Sequence, residues 1–450
     1  MFDVSITIMI IVFIATIVLM LWRPYGINET IPTSIGAVIV LATGIVSWGD
    51  VLGILGIVSG PVMTILSTIM MTIVLESIGF FRWIALNIVN RTKGSGIRLF
   101  FYTNLLCFFM TMMFNNDGSI LITTPIIIHI VTLIRLKPHQ ILPYLLSGAL
   151  IATAASAPIA VSNISNLIAL KIVGLSLNSY INLMFVPSML GIGAMFLLMY
   201  FYFKKDLPRK ITSVQFSMDK HHSKYKQSHP LEIENTDDAI DWNLFKLCIA
   251  IVVATRAAFF VLAPFGVATE WVGLIGASIL IGVRWINLGT SPLDILKKTP
   301  WHILIFAFNM YVLVFGLRNV GLNEVIMHLV RDVVVNSPFN ATFIMGALTT
   351  VFSNLFNNLP AVMISTMSII DMDLNTNLLQ LTYLASVIGA DIGALLTPIG
   401  TLATLIWMFL LKKESIKISW GQYLKVTFLV VPIGLIISLL SLYLWATLFF

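Results

Sequence analysis

The chain has 450 residues, of which 58% are hydrophobic and only 10% charged, and its mean hydropathy is +0.97. Soluble domains carry about 25% charge, so the composition excludes a water-soluble enzyme and calls for an integral membrane protein. The net charge is +6, and two cysteines, Cys107 and Cys248, are too few for a disulfide framework or a thiol-rich metal site. Apolar segments fall at about 4–22, 32–48, 62–80, 98–135, 143–171 and 183–203. Most have the length of a spanning helix rather than a barrel strand. The first has Asp3 ahead of it and neither a basic lead nor a small-residue cleavage site, so it is expected to be a retained helix and not a signal peptide. A hydrophilic stretch, 204–242, then carries Lys204, Lys205, Arg209, Lys210, His221 and His222 and reads as a linker. Further apolar segments follow at about 243–264, 269–286, 301–317, 340–371, 378–411 and 423–449.

The second series repeats the first. Ile35-Gly36-Ala37 returns as Ile275-Gly276-Ala277, Gly79 as Gly321, Phe114-Asn115-Asn116 as Phe356-Asn357-Asn358, and Pro158 as Pro398, all at offsets of 240 or 242. The expected organisation is therefore a first repeat at 1–203, a cytoplasmic linker at 204–242 and a second repeat at 243–450. Basic residues set the orientation. Let each half have five crossings plus one re-entrant hairpin at the Phe-Asn-Asn segment, with the linker in the cytoplasm. Then 22 of the 26 Lys and Arg fall on cytoplasmic stretches. An odd number of crossings gives the halves opposite orientations. This is the plan of an all-α inverted-repeat transporter, with its site near the membrane midplane. Counting each hairpin arm as a full span, for twelve in all, keeps the same linker side.

Two kinds of polar interruption carry the chemistry. One is the pair of hairpin tips, Phe114-Asn115-Asn116-Asp117-Gly118-Ser119 and Phe356-Asn357-Asn358. Their amides and hydroxyls can hold small hydroxylated molecules or replace part of a cation's hydration shell. The blander reading is that Asn, Asp and Gly simply form the turns. The other is a pair of helix breaks. Ser156-Ala157-Pro158 and Ser162-Asn163-Ile164-Ser165-Asn166 interrupt the first, and Gly389-Ala390-Asp391-Ile392-Gly393 and Thr397-Pro398-Ile399-Gly400-Thr401 the second. Proline and glycine destabilise the helix there and expose carbonyls and half-helix ends. The alternative is an ordinary proline kink. Asp117 and Asp391 each put one carboxylate near the expected centre, where such a group can carry a proton. Arg256 reads equally as a counter-ion or as a snorkelling side chain. No phosphate loop is present, so ATP hydrolysis by this chain is not expected.

Residues 114–170 and 352–407 resemble the arsenical pump membrane proteins of the ion-transporter superfamily. The carrying segments are Phe114-Asn115-Asn116-Asp117-Gly118 with Thr124-Pro125-Ile126, Ser162-Asn163, Phe356-Asn357-Asn358-Leu359-Pro360-Ala361, and Gly400-Thr401-Leu402-Ala403-Thr404-Leu405-Ile406-Trp407. The exit Tyr202-Phe203-Lys204-Lys205-Asp206-Leu207-Pro208 is similar too. Ala394-Leu395 depart from it, standing where many of these pumps look like Pro-Asn. The resemblance implies a multi-pass plasma-membrane carrier that exports trivalent arsenite and antimonite in exchange for protons. It also implies that some members work with a separate cytoplasmic ATPase subunit. Under it, Asn115, Asn116, Ser162, Asn163, Asn357, Asn358, Thr397 and Thr401 hold substrate, while Asp117 or Asp391 carries the proton. No cofactor, resident metal or nucleic-acid partner is expected, and a homodimer is expected only by analogy with other inverted-repeat carriers. A cation/proton antiporter and a sodium-coupled carboxylate transporter remain open as alternatives.

Overall fold

A computed structural model describes residues 4–211 and 241–448, and among them there is helix and loop but no strand. Positions 212–240 of the expected linker lie outside the described residues. The first half runs α1 (Val4–Trp22), α2 (Thr30–Ala42), α3 (Trp48–Ser77), α4 (Phe80–Thr92), α5 (Gly96–Met113), α6 (Asn116–Leu133), α7 (Pro138–Ala154), α8 (Ile164–Val173) and α9 (Leu177–Phe203). The second runs α10 (Trp242–Val261), α11 (Thr269–Leu288), α12 (Leu293–Lys298), α13 (His302–Asn319), α14 (Leu322–Asn336), α15 (Pro338–Phe356), α16 (Asn358–Asp371), α17 (Thr376–Asp391), α18 (Leu402–Lys413) and α19 (Trp420–Ala446). Apart from the short α12, the order of elements is the same in both halves, although α2 and α11 have 13 and 20 residues and α3 and α13 have 30 and 18. Among the described residues, 11 helical stretches are long and apolar enough to cross a membrane. The protein is a multi-pass, all-helical membrane protein.

Two boundaries differ from the sequence reading. The segment expected at 62–80 is a 30-residue helix that already begins at Trp48. Gly53, Gly56, Gly60 and Pro61 hid its first turns, but Ser47 and Asp50 start it with a reciprocal cap. The Asp50 amide donates to Ser47 Oγ at 3.3 Å, and the Ser47 amide donates to Asp50 Oδ2 at 3.1 Å. The segment expected at 32–48 ends at Ala42, leaving a 13-residue helix. At 1.5 Å per residue it reaches only about 20 Å, short of the roughly 30 Å hydrocarbon layer.

The repeated glycines have structural reasons. Gly79 and Gly321 sit at φ 80° and 88°, where an L side chain is strained, and they open α4 and α14. Gly36 and Gly276 are close-approach points. A Cβ on Gly36 would stand 2.4 Å from Thr16 Oγ1 of α1, and one on Gly276 2.3 Å from Thr255 Oγ1 of α10. Gly191 of α9 and Gly434 of α19 let those helices cross. A Cβ on Gly191 would fall 1.7 Å from Ser438 Oγ, and one on Gly434 2.4 Å from Met195 Cγ.

The halves interlock. Helix α2 packs on α13 and α3 on α11, while α6 packs on α18 and α8 on α16. Each contact thus occurs twice with the halves exchanged, as a two-fold relation would produce. Within each half, two helices fold back on each other through a tight turn, α5 on α6 at Phe114-Asn115 and α15 on α16 at Asn357. Ser119 Oγ donates to Cys107 O at 3.3 Å across the first hairpin, and Thr349 and Ser365 hydroxyls meet at 2.8 Å across the second.

Candidate functional site

The two helix breaks meet. Helix α7 stops at Ala154 and α8 starts at Ile164, capped by Asn163, whose Oδ1 accepts the Ser165 amide at 3.1 Å. The other end of that side chain crosses to the opposite half. Asn163 Nδ2 donates to Asp391 Oδ1 at 2.7 Å, and Asn166 Nδ2 donates to Asp391 Oδ2 at 2.6 Å. Asp391, the last residue of α17, is fully buried. A carboxylate shut away from water needs such donors, because hydrocarbon offers none. Behind it, the Tyr383 hydroxyl donates to Asn166 O at 3.1 Å.

Matching tyrosines tie down the unwound backbone. Tyr180 of α9 donates to Ala157 O at 2.6 Å, and Tyr423 of α19 donates to Leu395 O at 3.0 Å. The second break is pinned further by Asn354. Its Nδ2 donates to Thr350 O at 2.8 Å and Gly393 O at 2.9 Å, and its Oδ1 accepts from the Thr397 amide and hydroxyl, both at 2.8 Å. Asn354 therefore supplies an amide to the stretch where Ala394-Leu395 bring none. Thr427 Oγ1 adds a bond to Leu396 O at 2.8 Å. The first break is held less completely, and Ser162 Oγ and Asn166 Oδ1 are buried there without a partner among the described residues.

The hairpin tips approach the breaks. Asn115 caps α6 by accepting the Gly118 amide at 2.6 Å, and its Nδ2 reaches Thr68 Oγ1 at 3.4 Å. Asn116 Oδ1 accepts the Asp117 amide at 2.9 Å. Asp117 is half-buried and close enough to Asp391 for their charges to interact. At the second tip Asn357 has φ 81° and ψ 156°, a region that L residues avoid. Its Nδ2 donates to Ile399 O at 3.3 Å, which joins the tip to the second break. Asn358 is buried at the first position of α16.

Of the residues expected from sequence, Asn163 and Asp391 are in direct contact and Asp117 stands near them. Ser162 is buried at the junction with its hydroxyl unused. Thr397 is committed to Asn354, and Thr401 caps α18 by accepting the Thr404 amide at 3.1 Å. Arg256 takes neither role weighed for it. It is buried, and Nε and Nη2 donate to the carbonyls of Met113 and Phe114. Asn166, Asn354, Tyr180, Tyr383 and Tyr423 were missed. Asn166 had a readable signal, because three residues after Asn163 it lies on the same helix face.

The sequence matches the profile of the arsenical pump membrane protein family over residues 8–446. The chain belongs to that family. It is 48% identical over 439 residues to a putative arsenical pump membrane protein of Bacillus subtilis, covering 96% of this chain and 98% of that one. It is 31% identical over 415 residues to an arsenical pump membrane protein of Escherichia coli, covering 92% and 93%. An uncharacterized transporter of Mycobacterium bovis is 20% identical over 426 residues. The family and the helical content together make the chain a transport protein of the cell membrane.

Proposed function

We propose that this chain exports trivalent arsenite and antimonite from the cytoplasm in exchange for protons. The observation that carries the reading is the junction of the two breaks, where amides of Asn163 and Asn166 grip the buried Asp391 carboxylate beside two unpartnered polar atoms. Arsenite at neutral pH is chiefly the uncharged trihydroxide. Its hydroxyls can donate to Asn166 Oδ1 and to a carboxylate oxygen, and can accept from Ser162 and from the tip amides of Asn115, Asn116, Asn357 and Asn358. Thr397 and Thr401 shape the second break rather than contact the metalloid.

Exchange follows from one carboxylate with two kinds of partner. Ionised Asp391 offers acceptors to the two amides and to a substrate hydroxyl. Protonated Asp391 has lost part of that capacity, so substrate and proton compete. Asp117, half-buried and within electrostatic reach, is the second carrier in the same exchange. The exchanged contacts between halves support a two-fold relation of the repeats, and the excess of Lys and Arg on one side supports placing the linker in the cytoplasm. The carboxylate-importer alternative loses its anion-binding candidate, since Arg256 already serves two carbonyls.

The test is expression in cells that lack their own metalloid efflux. Resistance should rise and accumulated arsenite and antimonite should fall; unchanged accumulation would remove the assignment. Asp117→Asn should abolish pH-driven exchange in everted vesicles, and retained exchange would place the coupling on Asp391 alone. Movement of a monovalent cation in place of the metalloid would favour the cation/proton antiporter.

A further inference from the structure

Arg256 is a buried guanidinium near the end of α10, with 6% of its surface exposed. None of the ion pairs among the described residues involves it. Its charge instead meets Met113 O and Phe114 O, the last residue of α5 and its cap. Carbonyls at a helix C-terminus lack intrahelical donors and carry the negative end of the helix dipole, so a cation is well matched to them. The Phe259 ring, 5.7 Å from the guanidinium carbon, covers the charge from the same helix. These carbonyls immediately precede Asn115 and Asn116.

The second hairpin is held differently. In the first half α1 takes the place that α10 takes in the second, and α1 meets the second tip through a ring contact, Phe13 on Phe356 at 5.5 Å. One tip is therefore fixed by a charged fork and the other by an apolar edge. The second tip also carries the strained Asn357, whereas its equivalent Asn115 lies in extended backbone at φ −162°.

We propose that Arg256 is the positioning residue of the first hairpin tip: from a helix of the opposite half it holds the end of α5 and so sets where Asn115 and Asn116 stand. A side chain that acts this way changes substrate affinity through the tip without touching substrate. That last step rests on the tip amides being substrate ligands, whereas the hold on the tip does not.

The test uses the full chain in lipid nanodiscs, as wild type, Arg256→Met and Arg256→Lys. Backbone hydrogen exchange is followed over 110–119 and over the equivalent 352–361. Two charge-assisted hydrogen bonds are lost in Arg256→Met, so exchange at the first tip should rise at least about tenfold while the second tip stays within about twofold. Arg256→Lys keeps the charge but not the fork and should fall between. In everted vesicles the KM for arsenite should rise about tenfold in Arg256→Met, with Lys recovering part of it. Unchanged exchange at the first tip, or an equal rise at both tips, would overturn the proposal. If Arg256→Met does not fold, a rise confined to the first tip in Arg256→Lys decides the same point. Wild-type vesicles that move no arsenite would sink the transport reading and leave the exchange result standing.

Discussion

Asn357 offers a measurement of strain at a tip that is expected to bind substrate. Its φ of 81° and ψ of 156° fall in a region essentially reserved for glycine, which costs a side chain of order 1–3 kcal/mol. The perturbation is a set of four variants: Ala and Gly at Asn357, and Ala and Gly at the equivalent Asn115, whose φ is −162°. Every variant loses an amide and sits at a helix N-cap. Cap preference and the entropy of glycine enter both Ala-to-Gly comparisons alike. The difference between the two comparisons isolates the strain, so Gly should improve on Ala by about 1–3 kcal/mol more at 357 than at 115. For a chain this long that is a gap of roughly 1–3 °C in apparent midpoint. A thiol-reactive dye can follow unfolding, since Cys107 and Cys248 are both buried. Equal Ala-to-Gly changes at the two tips would refute the reasoning, because no strain would then distinguish them. Asn357→Gly should also transport poorly despite its stability, as a site residue held under strain would.

Other outcomes follow from the same contacts. Asn354→Leu strips donors from Thr350 O and Gly393 O and should destabilise by about 2–4 kcal/mol, read as a lower midpoint. Tyr180→Phe and Tyr423→Phe should cost similar amounts, about 0.5–1.5 kcal/mol each, because the tyrosines make the same bond to equivalent breaks. Gly191→Leu places a Cβ within 1.7 Å of Ser438 Oγ and must push α9 from α19, so poorly folded protein on size-exclusion chromatography is expected. Ser438→Gly in that background should recover part of the loss.

Much of this architecture could be read in advance, because membrane chemistry makes polar interruptions conspicuous. Asn115, Asn116, Asn357 and Asn358 stand out only because the residues around them are oily. Gly36 and Gly276 could be matched because both serve close helix approaches, and Gly79 and Gly321 because both adopt positive φ. What faced these groups was hidden. Asp391 was visible as a buried carboxylate, but Asn163 lies 228 residues away and Asn166 225, and nothing local marks them as partners. Arg256 was visible too, yet its partners are main-chain carbonyls, which every residue owns. The full length of α3 was obscured by Gly53, Gly56, Gly60 and Pro61 in its first half, residues that lower helix propensity without preventing a helix here. Asn354 was passed over because it precedes the conspicuous tip by one turn.

The exchanged packing has a consequence for how the protein is made. When α9 leaves the ribosome, α2, α3, α6 and α8 are complete, but α13, α11, α18 and α16, on which they pack, have not been translated. The early half must wait in the bilayer with those faces against lipid or a chaperone. Two separately translated halves, 1–211 and 241–450, should therefore accumulate together and be degraded when either is made alone.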